Sequence, residues 1–505
     1  MITVLPILTP LFFVVLLLAG GKNIRWLKIV GLTGALVMFL VSLYIFTQVR
    51  GEGMLVTQAG GWKSPFGITL AIDLFSAVML LATSFTALTV AVFSLNGLSA
   101  EHHSHKFFLF FHTLLIGVNG AFIAGDIFNL YVWFEVMLTS SFVLITHGSK
   151  KKQLEGAIKY VTMNLVGSFL FLAGIGLIYG KTGTLNMAHL ATLVWGNEQS
   201  FLMYPSFILF FIAFAIKAAV FPVFFWLPSS YHTPPVTITA LFAGLLTKVG
   251  VYAIIRFSTL FLEEATPFWQ TLTLVVAGLT MVIGVLTAAS QYDIRRILSF
   301  HIISQVGYII MGLGFFTVFS IAAAIYFTIH NILAKTATFL AGRLIYQKTG
   351  NYQLKDIGGL FKIYPWLALL FFIPAFSLAG LPPLSGFFGK LFLIMGGFKT
   401  EYYVITGVAV LVGIMTLFSM LKIWHEAFWK PKPDNAPEIN KTPVKTTMVL
   451  PVALFALATL AFGLSAGWFM DVFQDAAAAL KNPEVYINTV LKYLYICYET
   501  TLENI

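Results

Sequence analysis

The sequence predicts an all-α protein that crosses a lipid bilayer about 14 times. Three observations predict it. Hydrophobic residues make up 59% of 505 and charged residues only 10%, with a mean hydropathy of +0.89. One soluble core cannot hide that much apolar surface. The apolar runs are long and rarely alternate, so helices fit and a membrane barrel does not. Most Lys and Arg fall in short loops between the runs, as topology demands of a spanning protein.

The expected spans are roughly 3–20, 26–48, 70–96, 106–124, 126–147, 159–180, 206–227, 234–259, 267–290, 297–315, 318–346, 363–398, 403–428 and 447–470. A tail with an amphipathic stretch near 485–498 follows. Span 363–398 is too long for one straight helix, about 54 Å against a hydrocarbon core of about 30 Å. Its Gly-Leu-Pro-Pro-Leu-Ser-Gly run, Gly380 to Gly386, should break it, because proline lacks an N–H and clashes with the preceding turn. Pro222 should break the seventh span in the same way. The carbonyls freed at depth are tolerated where they line a wet cavity.

Charge sets the orientation. If the first loop (Lys22, Arg25, Lys28) is cytoplasmic, that side collects 19 Lys and Arg. The other side holds seven: Arg50, Lys63, Lys181, Arg256, Lys399, Lys481 and Lys492. The positive-inside rule then puts both termini outside. Four of the 30 basic residues remain, Lys217, Lys248, Lys335 and Lys390, and they lie inside spans. Lys217 precedes Pro222 in the seventh span, and Pro382 and Pro383 precede Lys390 in the twelfth. A five-span offset between them implies inverted repeats, a common transporter design.

Deep charges are expensive and mark function. Glu135 lies nine residues beyond Asp126, about 14 Å along its helix and near the midplane. Two readings fit it: an ion pair that assembles helices, or a proton carrier set by a nearby lysine. The second is preferred, with Lys217 as the partner. Lys217 is too deep to snorkel to either interface. Lys248 sits in Thr247-Lys248-Val249-Gly250. Lys335 follows His330 and Asn331, and Asn331 shares its helix face. A neutral imidazole both donates and accepts, so His330 suits a relay, though an intramembrane histidine also serves as a satisfied hydrogen-bonder. Five deep charges cost on the order of 10–15 kcal/mol on an insertion scale, so they are expected to work together. One acid, four amines and an imidazole suit protons. A sodium cage wants clustered oxygen ligands.

Other features carry less. Gly386-Phe387-Phe388-Gly389-Lys390 has the wrong spacing for a phosphate loop, and Leu391 stands where Ser or Thr is needed. His102, His103 and His105 with Glu101 fit a metal site or a solvated loop, and the loop is preferred. Asp73 and Asp126 are expected as helix-start carboxylates. His232 is either a point where protons enter or a loop hydrogen-bonder. Cys497, the one cysteine, rules out an internal disulfide or a cysteine-ligated cluster within this chain. No cleaved signal peptide, soluble catalytic domain, resident metal or cofactor, or nucleic-acid partner is expected.

These residues resemble a known family. A Glu in the fifth span, Lys in the seventh and eighth, His and Lys in the eleventh, Lys in the broken twelfth, and Ser304-Gln305-Val306-Gly307-Tyr308 are similar to the antiporter-like subunits. These are shared by respiratory complex I and the Mrp-type multisubunit sodium/proton antiporters. The segments Leu227 to Pro235 and Leu246 to Tyr252 resemble the D-type version found in Mrp antiporters. The resemblance implies two inverted five-helix units, spans four to eight and nine to thirteen. It divides the chain into 1–105, 106–259, 267–428 and 429–505. It also implies a hydrated axis through Glu135, Lys217, Lys248, Lys335 and Lys390, other Mrp subunits as partners in a bacterial plasma membrane, and exchange of cytoplasmic sodium for external protons. The competing implication is a proton-pumping subunit of complex I or a membrane-bound hydrogenase. The short chain after span fourteen disfavours the largest complex I antiporter-like subunit, which carries a long lateral helix.

Overall fold

The computed structural model describes residues 2–98, 106–148, 151–194, 203–262 and 267–502. The His102, His103 and His105 cluster lies outside the described residues.

In chain order the helices are α1 Leu5–Ala19, α2 Ile24–Glu52, α3 Leu74–Gly97, α4 Lys106–Ile123, α5 Ile127–Thr146, α6 Lys151–Thr182, α7 Met187–Val194, α8 Tyr204–Ala218, α9 Trp226–Ser230 and α10 Val236–Phe261. Then come α11 Pro267–Ser290, α12 Ile294–Gly314, α13 Val318–Thr349, α14 Leu360–Ile363, α15 Pro365–Ala379, α16 Ser385–Lys399, α17 Tyr403–Trp424, α18 Thr446–Leu464, α19 Ala466–Lys481 and α20 Pro483–Leu502. Among the described residues, 11 helices are long and apolar enough to cross a membrane. Three shorter apolar helices, α4, α8 and α15, accompany them. The chain is therefore a polytopic helical membrane protein.

Two short strands, β1 Leu55–Gln58 and β2 Thr69–Ile72, pair antiparallel between α2 and α3. The sequence reads residues 70–72 as the start of a span, but they belong to β2. In the structure the helix waits for Asp73, whose carboxylate accepts from Ser76 N and caps α3. Asp126 caps α5 and Asp293 caps α12 likewise. Thr317 and Ser320 form a reciprocal capping box at the start of α13. A second departure lies near the C-terminal end, where the expected span 447–470 is two helices, α18 and α19, divided at Ser465.

Two helices are broken at depth. Ala219, at φ 58°, closes α8 in the left-handed region, and Pro222 lies in the irregular stretch before α9. Gly380, at φ 97°, closes α15, where glycine meets no Cβ penalty. Pro382 and Pro383 stand between it and α16. Each break is repaired from outside the helix. Trp226 Nε1 donates to Ile216 O at 3.0 Å, and Gly386 N donates to Ser377 Oγ at 3.1 Å. Orphan backbone groups at helix ends are satisfied this way.

The interior is built around α10, α12 and α13, which are buried along nearly their whole length. Small residues let their backbones approach, as expected where lipid offers no hydrophobic drive between helices. A Cβ on Gly250 of α10 would lie 2.6 Å from Ala218 N, and one on Gly284 of α11 would lie 2.5 Å from Ser304 N.

Candidate functional site

The deep ionisable residues sit on a run of helices, each packed on the next: α5, α6, α8, α10, α13 and α16. α5 brings Glu135, half-buried at the flank of the chain. α6 brings Asn164 and Ser168, one turn apart on one face. Lys217 lies in the last turn of α8 and is 4% exposed. Its amine donates to Asn164 O and to Ser168 Oγ, both at 3.3 Å, and lies 5.7 Å from the Phe134 ring centroid.

The sequence expects Glu135 and Lys217 to pair directly. The structure instead puts Ser168 between them, its hydroxyl donating to Glu135 Oε1 while accepting from Lys217. Glu135 and Lys217 are not within ion-pair distance of each other. The two charges are linked through one small hydroxyl, which can pass a proton because it both donates and accepts.

Lys248, 1% exposed at the middle of α10, donates to Ala243 O in its own helix at 2.7 Å. Lys335 on α13 is fully buried, and its amine has no hydrogen-bond partner among the described residues. One turn earlier Asn331 donates to Phe327 O at 2.8 Å. His330 points the other way: its Nδ1 lies 2.8 Å from Ser385 Oγ, at the start of α16. Lys390 on α16 donates to Ala379 O at 2.9 Å. In an unbroken helix that carbonyl would take the N–H four residues on, but Pro383 has none to give. The helix break thus supplies the acceptor that holds Lys390. None of these three lysines has a carboxylate within ion-pair distance among the described residues.

His232 lies in the loop between α9 and α10. Its Nδ1 is 2.8 Å from Pro228 O, and its ring lines a cavity of about 900 Å³ with Lys151, Lys152, Lys159, Arg295 and Arg296. The loop hydrogen bond is therefore present, and so is access to open solvent space. Burial is the main cause that holds its imidazole below the ordinary value, with Arg296 and Arg295 acting in the same sense. It stays neutral at pH 7, able to donate and accept. The expectation of helix-start carboxylates at Asp73 and Asp126 matches the caps above, but Asp73 does more. It holds Arg256 Nη2 at 2.6 Å in a buried ion pair. Arg256, counted from the sequence on the external side near the end of span 234–259, lies in α10 and is buried. Among the described residues, no group of three or more His, Cys, Asp or Glu is placed to hold a metal ion.

Residues 124–416 match the sequence family described as NADH:quinone oxidoreductase/Mrp antiporter, TM. That is more than half of the chain, and it includes Glu135, Lys217, Lys248, His330, Lys335 and Lys390. The chain belongs to this family. Among its relatives, the D-type Na(+)/H(+) antiporter subunit of Alkalihalophilus pseudofirmus is 44% identical over 491 residues, covering 97% of this chain and 99% of that protein. In structure the chain is similar to a chain of the Mrp complex from a Dietzia species, with a TM-score of 0.90, 31% identity, and coverage of 97% and 99%. It is also similar to a chain of an archaeal respiratory complex, the membrane-bound sulfane sulfur reductase, with a TM-score of 0.89, 27% identity and the same coverage. Within the family, sequence reading missed Asn164 and Ser168. Their only signal is two polar residues at i,i+4 inside an apolar span.

Proposed function

We propose that this chain is the proton-carrying D-type subunit of a multisubunit Na+/H+ antiporter, working with other Mrp subunits in a bacterial plasma membrane. The observation that carries this reading is the run of adjoining helices, each with a deep base or a polar link to the next. Protons move along Glu135, Ser168, Lys217, Lys248, Lys335 with His330, and Lys390. While Glu135 is charged and linked through Ser168, Lys217 keeps its proton. When that link opens, Lys217 loses its counter-charge and hands the proton on towards Lys248. His232, on the basic cavity of the cytoplasmic side, is where the path meets that solvent: the entry point for protons taken from the cytoplasm and the exit for those brought from outside. The break at Pro382 and Pro383 frees a backbone carbonyl that holds Lys390, and the break before Pro222 ends α8 just beyond Lys217.

The same reading assigns 14 spans, the three short apolar helices completing the 11 longer ones. It groups residues 106–259 and 267–428 as inverted five-helix units, between segments 1–105 and 429–505, with both termini external. The D-type relatives, which are Na(+)/H(+) antiporter subunits by name, support sodium as the exchanged ion; the residues of this chain speak for the proton half alone.

The test is antiport in vesicles carrying the whole complex. Glu135→Ala and Lys217→Ala should each remove nearly all sodium-dependent proton flux while the complex still assembles. Wild-type flux in either would refute the proton-carrying role. A second reading, a proton-pumping subunit of a redox-driven complex, is favoured by the similarity to the sulfane sulfur reductase chain. Flavin or iron–sulfur subunits purifying with this chain would establish it in place of the first.

A further inference from the structure

Helix α12 carries none of the charged residues in the row, yet among the described residues it holds the most unpartnered buried polar atoms of any helix. His301, Ser304, Gln305 and Tyr308 stand at i, i+3, i+4 and i+7, on one face of the helix. All four are essentially fully buried. Both ring nitrogens of His301, both amide atoms of Gln305 and the Ser304 hydroxyl have no hydrogen-bond partner among the described residues. The facing helix α13 repeats the pattern with Lys335 Nζ, Asn331 Oδ1 and His330 Nε2. Buried polar groups in such number belong to a wetted seam rather than to a dry contact.

The seam has a direction. α12 and α13 form an antiparallel hairpin, and His301 and Asn331 are equally far along the chain from the turn at Phe316. That places His301 about one turn from the level of Lys335. At the other end of the stripe, the Tyr308 ring lies 5.4 Å from the Lys390 amine. The His301 ring is within electrostatic reach of both Lys335 and Lys390. His330 is the alternative link between those lysines, but one of its nitrogens is already engaged by Ser385. A histidine that serves packing looks different in this chain: His112, equally buried, is anchored at 3.0 Å to Gly31 O.

We propose that His301 is a proton-relay residue between Lys335 and Lys390. The inference rests on the proton-carrying reading above. In the step, an N–H bond of the Lys335 ammonium breaks and one forms at the ring nitrogen that bears the lone pair. The N–H on the opposite ring nitrogen breaks, and its proton passes through bound water along the seam to the Lys390 amine, which lies by Tyr308 two turns away. The imidazole then stands in its other tautomer and resets by ring rotation or a return proton. Gln305 and Ser304 orient the wetted seam and carry no charge.

The test compares His301→Gln and His301→Ala with Lys217→Ala, each in the whole complex in vesicles, with assembly measured alongside flux. Gln keeps the hydrogen-bonding and much of the shape of the imidazole but cannot hold the extra proton. The expected result is an assembled complex with sodium-dependent proton flux at least tenfold lower in both His301 variants. Wild-type flux in His301→Gln, with flux lost in Lys217→Ala, overturns the His301 relay and leaves the proposed function standing. Flux surviving in Lys217→Ala overturns the proposed function itself. If His301→Gln does not assemble, His301→Asn, smaller and equally unable to carry a proton, is read with the same two outcomes.

Discussion

Removing the Ser168 hydroxyl is the sharpest single perturbation of the proposed proton path, because it alters the link between two charges and neither charge. The Lys217 amine is 3.3 Å from Ser168 Oγ, and Glu135 accepts from the same hydroxyl. The two charges are therefore beyond ion-pair distance and less than about 6 Å apart, worth about 3–4 kcal/mol at an effective dielectric of about 20. Ser168→Ala leaves that attraction nearly intact. It deletes two hydrogen bonds to ionised groups, each worth about 1.5–3 kcal/mol. If one of them must be present in the transfer step, flux falls roughly 10- to 150-fold, since each 1.36 kcal/mol is tenfold. Ser168→Thr keeps the hydroxyl and should keep flux within about threefold, well under 1 kcal/mol on the same scale. The assay is sodium-driven proton flux in inverted vesicles, normalised to the amount of assembled complex. Flux in Ser168→Ala equal to wild type would show that Glu135 and Lys217 communicate without the hydroxyl, and the bridging argument would fail.

Three further outcomes follow from the geometry. Gly386→Ala should abolish the assembled complex, because the new Cβ would sit 1.8 Å from Ser377 O and 2.8 Å from His330 Cε1; recovery of normal complex on a native gel would contradict the packing at the α15–α16 break. Asp73→Asn should lower the unfolding temperature of the complex, since breaking a buried ion pair by removing one charge costs about 3–5 kcal/mol, and Arg256→Met added to it should recover part of the loss; additive damage would argue that Arg256 has other essential partners. Lys390→Arg should assemble and lose at least tenfold in flux, because arginine keeps the positive charge and does not release its proton; unchanged flux would mean that Lys390 acts only as a fixed charge.

The sequence makes the deep lysines easy to see because a charge inside an apolar run has no cheap explanation. The helix breaks are legible for the same reason: proline and glycine at Gly380 to Gly386 cannot continue a span. What sequence cannot show is which deep groups touch. Ser168 and Asn164 are ordinary polar residues among many serines and threonines, and only the packing of α6 on α8 turns them into the link between Glu135 and Lys217. Arg256 reads as one more cation of the external side because it lies near the end of span 234–259. Its burial depends on Asp73, which is remote in sequence and reaches it only through the packing of α3 on α10. Likewise residues 70–72 are apolar enough to read as helix, and only pairing with Leu55–Gln58 makes them part of a strand.

The contrast between Arg256 and the lysines says how this chain sorts its buried cations. Arg256 cannot give up a proton, and it is met by the Asp73 carboxylate at 2.6 Å, in a cluster with Tyr252 and Ser76. Its charge is permanent and matched. Lys248 and Lys390 are instead held by backbone carbonyls, Ala243 O and Ala379 O. A carbonyl orients an amine in either protonation state, because ammonium and neutral amine both donate. A carboxylate would favour the ammonium by several kcal/mol at that depth and hold the proton in place. Lys217 stands between the two cases, with a carboxylate one hydroxyl away. The row thus begins at Lys217, whose carboxylate partner is one hydroxyl away, and continues through Lys248 and Lys390, whose carbonyls favour the ammonium less than a carboxylate would, and Lys335, which has no partner among the described residues. On the proposed path, a proton on Lys248, Lys335 or Lys390 has no carboxylate within ion-pair distance among the described residues to hold it.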